Sequence, residues 1–515
     1  MKKQQQRTMW AVSATLVGTL VLSACGGNEG NAGSNGEAGA NEADGPTAIS
    51  VMSHFFTPTP PAKDNPVEQR IEELTNSELD IQWVSANNYT EKLNVALASG
   101  ELPDLVFIND PFTPTFRTAV SQGAFWDLKP FIDDYPNLKA TLTDTAWELT
   151  TMNDGNYGIP RPRPSEADSF FIVRQDWLDQ LGLEQPRTAD ELYEVMKAFK
   201  TQDPDGNGKA DTIGYAGYLN PTDMGSMGLF EAIFTGATGT AGGSVLWKDV
   251  DGELVFTALL PEMREALAYM AKGYQEGLFP ADLASMKVSQ VRELFQAGGA
   301  GLIAEKSGAF ETYTKPMQEL FPELVMTDLV PLVEVNGYNP KGAGFSGMNA
   351  IPKTVSEEKV REILDVYDTW VTDEVFKLHS EGIEGVHHTV ENGEVVLDAD
   401  KIQADGISSY NQIVYVADPY DSSSKEWFPE DAQALYRDIQ DQKEATSVAD
   451  VSIGLYSETA QTYQPELLKE LQDIKTKIIL GTEPIDAWDA YIEKLQSNAN
   501  FVKLAEEMNA AYQAR

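Results

Sequence analysis

Cysteine is almost absent: the 515 residues contain one, Cys25. A lone thiol forms no internal disulfide, so the fold must be held by its core alone, and a chain of this length can bury a large one. Histidine is scarce too, at His54, His379, His387 and His388. In the pair His387–His388 adjacent side chains diverge, which argues against metal catalysis there. Bases are outnumbered, with 38 Lys and Arg against 80 Asp and Glu and a formal charge of −42. That excess argues against nucleic acid or anionic lipid as a partner. There is no G-x-S-x-G, H-E-x-x-H or Walker loop, so the common catalytic signatures are missing as well.

The start of the chain has an order of its own. Lys2, Lys3 and Arg7 precede Met9 to Leu22, an uncharged and largely apolar run, and Ser23 and Ala24 lead into Cys25. A positive region, a short apolar run and small residues make a secretory signal peptide over 1–24, too short for a comfortable membrane span. Leu22-Ser23-Ala24-Cys25 resembles the bacterial lipobox. That resemblance implies lipidation of Cys25 with acyl chains such as palmitate, and a mature protein held on the outer face of a membrane. Loss of the three leader cations takes the charge to −45. Residues 25–47 are Gly-, Asn- and Glu-rich with little to bury, a flexible tether on composition.

From Ala48 the pattern changes. "AISVM" reads as a buried strand, and Asn65-Pro66-Val67-Glu68 as a helix start with its cap, its first-position proline and a glutamate to close the box. "LDIQWV" alternates, Tyr89 to Leu97 keeps helical spacing up to a Gly100 cap, and "DLVFI" is an apolar strand. Strand, helix, strand, helix, strand predicts parallel pairing with crossover helices. "YGIPRPRP" (157–164), with three prolines, suits an extended crossing between lobes. Beyond it "FFIVR", "LVFTA" and "AGLIA" read as strands, Thr188–Glu191 as a capping box and Ser356 as a helix cap, and the last hundred residues as mostly helical.

"ELPDLVFIND" (101–110), "RQDWLDQLGLEQPRTADELYEVMKAFKTQDPDGNGKADTIGY" (174–215), "YQEGLFPADL" (274–283) and "GIEGVHHTVENGEV" (382–395) resemble the family 1 extracellular solute-binding proteins of carbohydrate ABC importers, lipoproteins in Gram-positive bacteria and similar to the alginate-oligosaccharide binders. The resemblance implies an α/β, two-lobe, periplasmic-binding-protein-like fold of type II, with a ligand cleft and a hinge. It also implies an oligosaccharide ligand, a membrane permease as partner and a monomeric binder. The lobes on this pattern are 48–158 with 335–400, and 159–334 with 401–515. A secreted glycoside hydrolase is the competing class; it needs a carboxylate pair across a cleft, which no short motif isolates. A purely structural surface protein is the third class, disfavoured because the alternating α/β pattern builds a cleft, and a binding protein is the reading.

Strand ends facing a cleft are where α/β sheets hold ligands, and sugar faces lie on aromatic rings. The candidates are therefore His54 and Phe55, Asn109 and Asp110, Arg161 and Arg163 at the crossing, and Trp247, Phe345 and Trp427 in later loops. Two arginines suit an acidic saccharide, and salt bridging within an acidic protein explains them equally well. "DPDGNGKADTIG" (203–214) carries Asp203, Asp205, Asn207 and Asp211, with Gly208 sixth and the carbonyl of Lys209 seventh, the first part of an EF-hand loop. Gly214 stands where a bidentate glutamate belongs. The alginate binders hold calcium in a similar loop, aided by the residue after the last aspartate, here Thr212. A structural calcium away from the cleft is expected.

Overall fold

Alternating burial along the strands builds two sheets in the computed structural model, which describes residues 45–56, 59–165, 168–221, 223–239, 245–391, 394–421, 423–425 and 428–514. The signal peptide, Cys25 and the tether lie outside the described residues up to position 44. The body from Pro46 onward is one contact unit.

In chain order the first strands are β1 (Thr47–Phe55), β2 (Ser77–Ser85), β3 (Leu105–Ile108) and β4 (Ile159–Pro162). Then come β5 (Phe170–Arg174), β6 (Ile213–Ala216), β7 (Trp247–Val250), β8 (Glu253–Phe256), β9 (Ala300–Glu305) and β10 (Leu329–Pro331). The last are β11 (Asn339–Lys341), β12 (Phe345–Ala350), β13 (His388–Glu391), β14 (Glu394–Leu397) and β15 (Ser447–Ala449). One sheet has the order β2-β1-β3-β12-β4 and the other β10-β5-β9-β6. The chain thus passes between the sheets after β4, after β10 and again after residue 416, the two-lobe arrangement expected from the sequence.

Each sheet is covered on both faces. In the first, Ile49 and Val51 join one core with Leu79 and Ile351, while Met52 joins a second with Phe107 and Met348. In the second sheet, Val173 and Leu302 pack on one side, Ile172 and Ile303 on the other. Strands buried on both faces read as unbroken apolar runs, which is why "DLVFI" and "FFIVR" are legible.

The helix starts follow the sequence chemistry. Asn65 accepts from the backbone of Val67 and Glu68. Glu68 bonds back to Asp64 N rather than to the cap residue, and its other oxygen takes the Tyr410 hydroxyl. Thr188 and Glu191 form the full reciprocal box.

Three expectations need correction. "IPRP" is not part of the crossing: β4 pairs with β12 at the edge of the first sheet, where prolines cost no ladder bond. "LVFTA" gives only a strand to Phe256 before a 3-10 turn. Residues 401–416 pack with the first lobe, since Asn349 Nδ2 donates to Ile413 O at 2.7 Å and Ile407, Tyr410 and Val414 enter that lobe's core. By the same test Val335 and Tyr338 belong to the core of the second.

Candidate functional site

Sheet register gathers the first-lobe candidates at one edge. β1 and β3 run parallel, so Phe55 and Asn109 leave the sheet on the same side. β12 runs antiparallel to β3, and Phe345 at its start pairs with Pro162 at the end of β4. In the second lobe β6 and β9 are parallel while β5 opposes β9, so Ala216, Glu305 and the residues before Phe170 share one edge. The crossings join these two edges, placing a cleft between them.

Two cavities occupy it. One, of about 460 Å³, is walled by Asp110, Phe112 and Phe345 from the first lobe and by Trp247, the 452–455 turn, Gln461 and Gln464 from the second. Phe112 and Phe345 stand edge to face at 6.2 Å. Asp110 Oδ1 accepts from Phe112 N at 2.9 Å, a tight turn that presents the ring just past the strand end. The other cavity, about 200 Å³, lies in the second lobe among Asp168, Tyr218, Ser226, Arg292, Glu305 and Tyr338. Gly239 lines both. Arg292 pairs with Glu305 at 2.7 Å, and the Tyr313 hydroxyl donates to the same carboxylate at 2.7 Å.

The other candidates divide. Asn109 is exposed and donates to Thr90 Oγ1. Phe55 is half-buried. His54 is buried behind the edge, its ring against Phe107 and Tyr89, with Nε2 donating to Gln412 Oε1 at 3.1 Å. Burial first, and then the Arg161 charge, lowers its pKa to about 4. Arg161 is 3 % exposed; it donates to Gln412 Oε1 at 2.6 Å and to Ser346 O at 3.1 Å, and lies over the Phe107 ring at 4.4 Å. Its guanidinium therefore fastens the 412 segment to the sheet instead of meeting the cleft. Arg163 lies 3.8 Å over the Tyr415 ring and donates to Pro162 O. Trp247, expected in a loop, begins β7 and is 3 % exposed against Phe256, so it lines the cavity as part of the packed core. Trp427 lies outside the described residues.

Phe112, Gln461 and Gln464 also wall the interlobe cavity, and Arg117 and Tyr456 line a separate one; none of them is among the candidates named from sequence. Phe112 was open to discovery, two residues past Asp110. The 450–464 stretch carries no strand signal and comes to the cleft only through the third crossing.

Away from the cleft, the 203–211 turn folds on itself. Asp203 takes a left-handed backbone (φ 48°) and accepts from Gly208 N at 2.9 Å through Oδ2, while its Oδ1 is buried without a hydrogen-bond partner. Asn207 Nδ2 donates to Asp205 Oδ2 at 2.6 Å and to Asp211 Oδ1 at 3.3 Å. Partial burial, then the Asp203 hydrogen bond and the Asp211 and Asp203 charges, raise the Asp205 pKa. Lys209 N is used within the turn, donating to Asn207 Oδ1. Thr212 departs from expectation: it is buried and donates to Phe199 O at 2.6 Å, which closes the preceding helix. Among the described residues no three His, Cys, Asp or Glu side chains stand close enough to hold a metal as they are. The fit is thus partial: an orphaned Asp203 oxygen asks for a partner, and the Asn207 amide would have to turn its oxygen inward.

Residues 57–322 match the family model described as bacterial extracellular solute-binding protein. The chain is 28% identical to the polygalacturonan/rhamnogalacturonan-binding protein YtcQ of Bacillus subtilis (strain 168), over 96% of each chain. It is 27% identical to lipoprotein LipO of the same organism, over 99% of each. Among solved structures, the alginate-binding protein AlgQ2 without calcium ion superposes with a TM-score of 0.65 at 22% identity, covering 91% of this chain and 98% of that one.

Proposed function

This chain belongs to the bacterial extracellular solute-binding proteins, and from that premise we propose that it captures an oligosaccharide between its lobes and delivers it to the membrane permease of an ABC importer. One observation carries the reading: the cavity between the lobes joins two aromatic rings from one side, Phe112 and Phe345, to amides from the other, Gln461 and Gln464. Rings take the apolar faces of sugars, and amides pair with their hydroxyls. Three crossings supply the hinge about which the lobes close on a ligand. The test is a thermal-shift screen of residues 26–515 against oligosaccharides and peptides. A ligand of the folded state at a hundredfold excess over Kd adds about 2.7 kcal/mol, several degrees of melting temperature.

Binding without turnover is part of the proposal. The carboxylates of the cleft are engaged by neighbours, Asp110 by Phe112 N and Glu305 by Arg292 and Tyr313. Cleaved saccharide after long incubation with pure protein would instead indicate a glycoside hydrolase.

Two further parts of the reading concern anchoring and metal. Cys25, in its lipobox-like setting, becomes a lipidated N-terminus that holds the protein at the outer membrane face. No described helix is long and apolar enough to cross a membrane. The 203–211 turn takes a structural calcium through Asp203, Asp205, Asn207, Asp211 and the Lys209 carbonyl. Support comes from the unpartnered Asp203 oxygen and the crowded carboxylates, whose repulsion a cation would relieve.

A further inference from the structure

We infer that the cleft is built for an uncharged oligosaccharide and discriminates against polyuronates. The inference rests on reading the cleft as a saccharide site. Holding a uronate requires cations at liberty to meet its carboxylates, best a guanidinium offering two parallel N–H groups.

Of the cations around this cleft, three are paired with carboxylates and two are held by rings and backbone carbonyls, and Lys341 on β11 is not free either. Arg292 is spent on Glu305 at 2.7 Å, Lys306 on Asp168 at 3.3 Å, and Lys425 on Asp421. Arg163 lies on the Tyr415 ring, and the Asp421 charge also acts on it. Arg117 donates to Phe112 O at 3.2 Å and Gly454 O at 2.7 Å, between the rings of Phe112 and Tyr456. Acids are in excess on the same walls, with Asp110 and Asp450 in the interlobe cavity and Asp168 and Glu305 in the other.

A uronate brought here would lose its hydration and meet like charge at close range, where salt screens poorly. A neutral sugar meets what remains, rings for its faces and the Gln461 and Gln464 amides for its hydroxyls. The YtcQ relative is named for polygalacturonan, an acidic polymer, so the ligand inferred for this chain stands apart from that one.

Isothermal titration of the mature chain against tetramers of matched length decides the matter. The neutral probes are xylotetraose, cellotetraose, maltotetraose and nystose; the acidic probes are tetragalacturonate and a mannuronate tetramer. The expected result is a neutral probe at least tenfold tighter than either uronate, with an affinity nearly constant between 20 and 500 mM NaCl. Uronate binding equal or tighter, weakening with salt, overturns the inference while leaving a saccharide-binding cleft intact. Absence of binding across both sets, with a peptide bound instead, removes the saccharide reading and the inference together.

Discussion

Arg117 Nη2 donates to the carbonyl oxygen of Gly454 at 2.7 Å, a bond from the helix Pro114–Ser121 of one lobe to the 452–455 turn of the other. The guanidinium lies 5.5 Å over Phe112 and 5.4 Å over Tyr456, so it also carries a ring from each side. Burial lowers the Arg117 pKa, and the nearby Asp110 charge opposes that. Such a clasp stabilises the approximated lobes and should slow their separation. Arg117→Ala is expected to weaken oligosaccharide binding by roughly tenfold or more, the worth of a hydrogen bond from a charged group. The melting temperature of the ligand-free protein should change little. Unchanged affinity in titration calorimetry would remove the clasp from the binding mechanism.

Phe112→Ala and Phe345→Ala should each cost about tenfold in affinity or more, since a ring packed on a sugar face loses both apolar area and its shape. Far-ultraviolet circular dichroism should stay as in the parent. Trp247→Ala should behave in the opposite way. Its ring is buried on Phe256, so it should lower stability by about 3 to 5 kcal/mol, read as a fall in the denaturation midpoint.

The pH dependence of stability follows from His54 and His379. Both have pKa values lowered to about 4, chiefly by burial. His379 accepts from Trp370 Nε1 at 2.8 Å and sits beside Asn411 Oδ1, a pairing that suits the neutral ring. Below about pH 6.5 the unfolded chain takes up protons that the folded one refuses. Their contribution is therefore complete above that pH and is lost as pH falls towards 4, each worth at most about 3 kcal/mol. Urea unfolding of the His54→Gln, His379→Gln double variant should show a flatter profile over this window than the parent. Parallel profiles would disprove the assignment.

Chelator should lower the melting temperature of the calcium-loaded parent. Asp203→Ala with Asp205→Ala should abolish that response and leave saccharide affinity nearly unchanged, because the turn lies apart from the residues lining the cleft. Elemental analysis without calcium, together with no chelator effect on the parent, would reduce the site to a turn.

Cys25→Ala should move the protein from the membrane fraction to the medium. Mass spectrometry finding an unmodified Cys25 thiol in membrane-purified protein would refute the anchor.

Much of the fold was readable because local and global demands agree in its sheets. Buried strands such as Phe170–Arg174 are apolar throughout, and caps such as Asn65 and Thr188 state where helices begin. The site was readable only where it follows directly on such an element. Asp110 and Phe345 adjoin strands and line the cleft; Arg161 and Trp247 carry the right chemistry but are buried, Arg161 by Gln412 far along the chain and Trp247 by Phe256 across its own hairpin. Gln461 and Gln464 lie on the first turns of a long helix that reaches the cleft through a third crossing, a tertiary fact with no local signature.

That interleaving constrains how the molecule can be made. β12 lies between β3 and β4, yet it begins at Phe345, long after β3 ends at Ile108 and β4 at Pro162, and arrives only after the other sheet has been laid down. Until it docks, Phe107 and Ile159 face an open seam, and the 407–416 segment that seals the lobe comes later still. The first lobe therefore cannot mature until that segment is available, because loop closure over such distances must precede the contacts that reward it. The consequence is a first lobe that condenses late, when most of the chain has already been made.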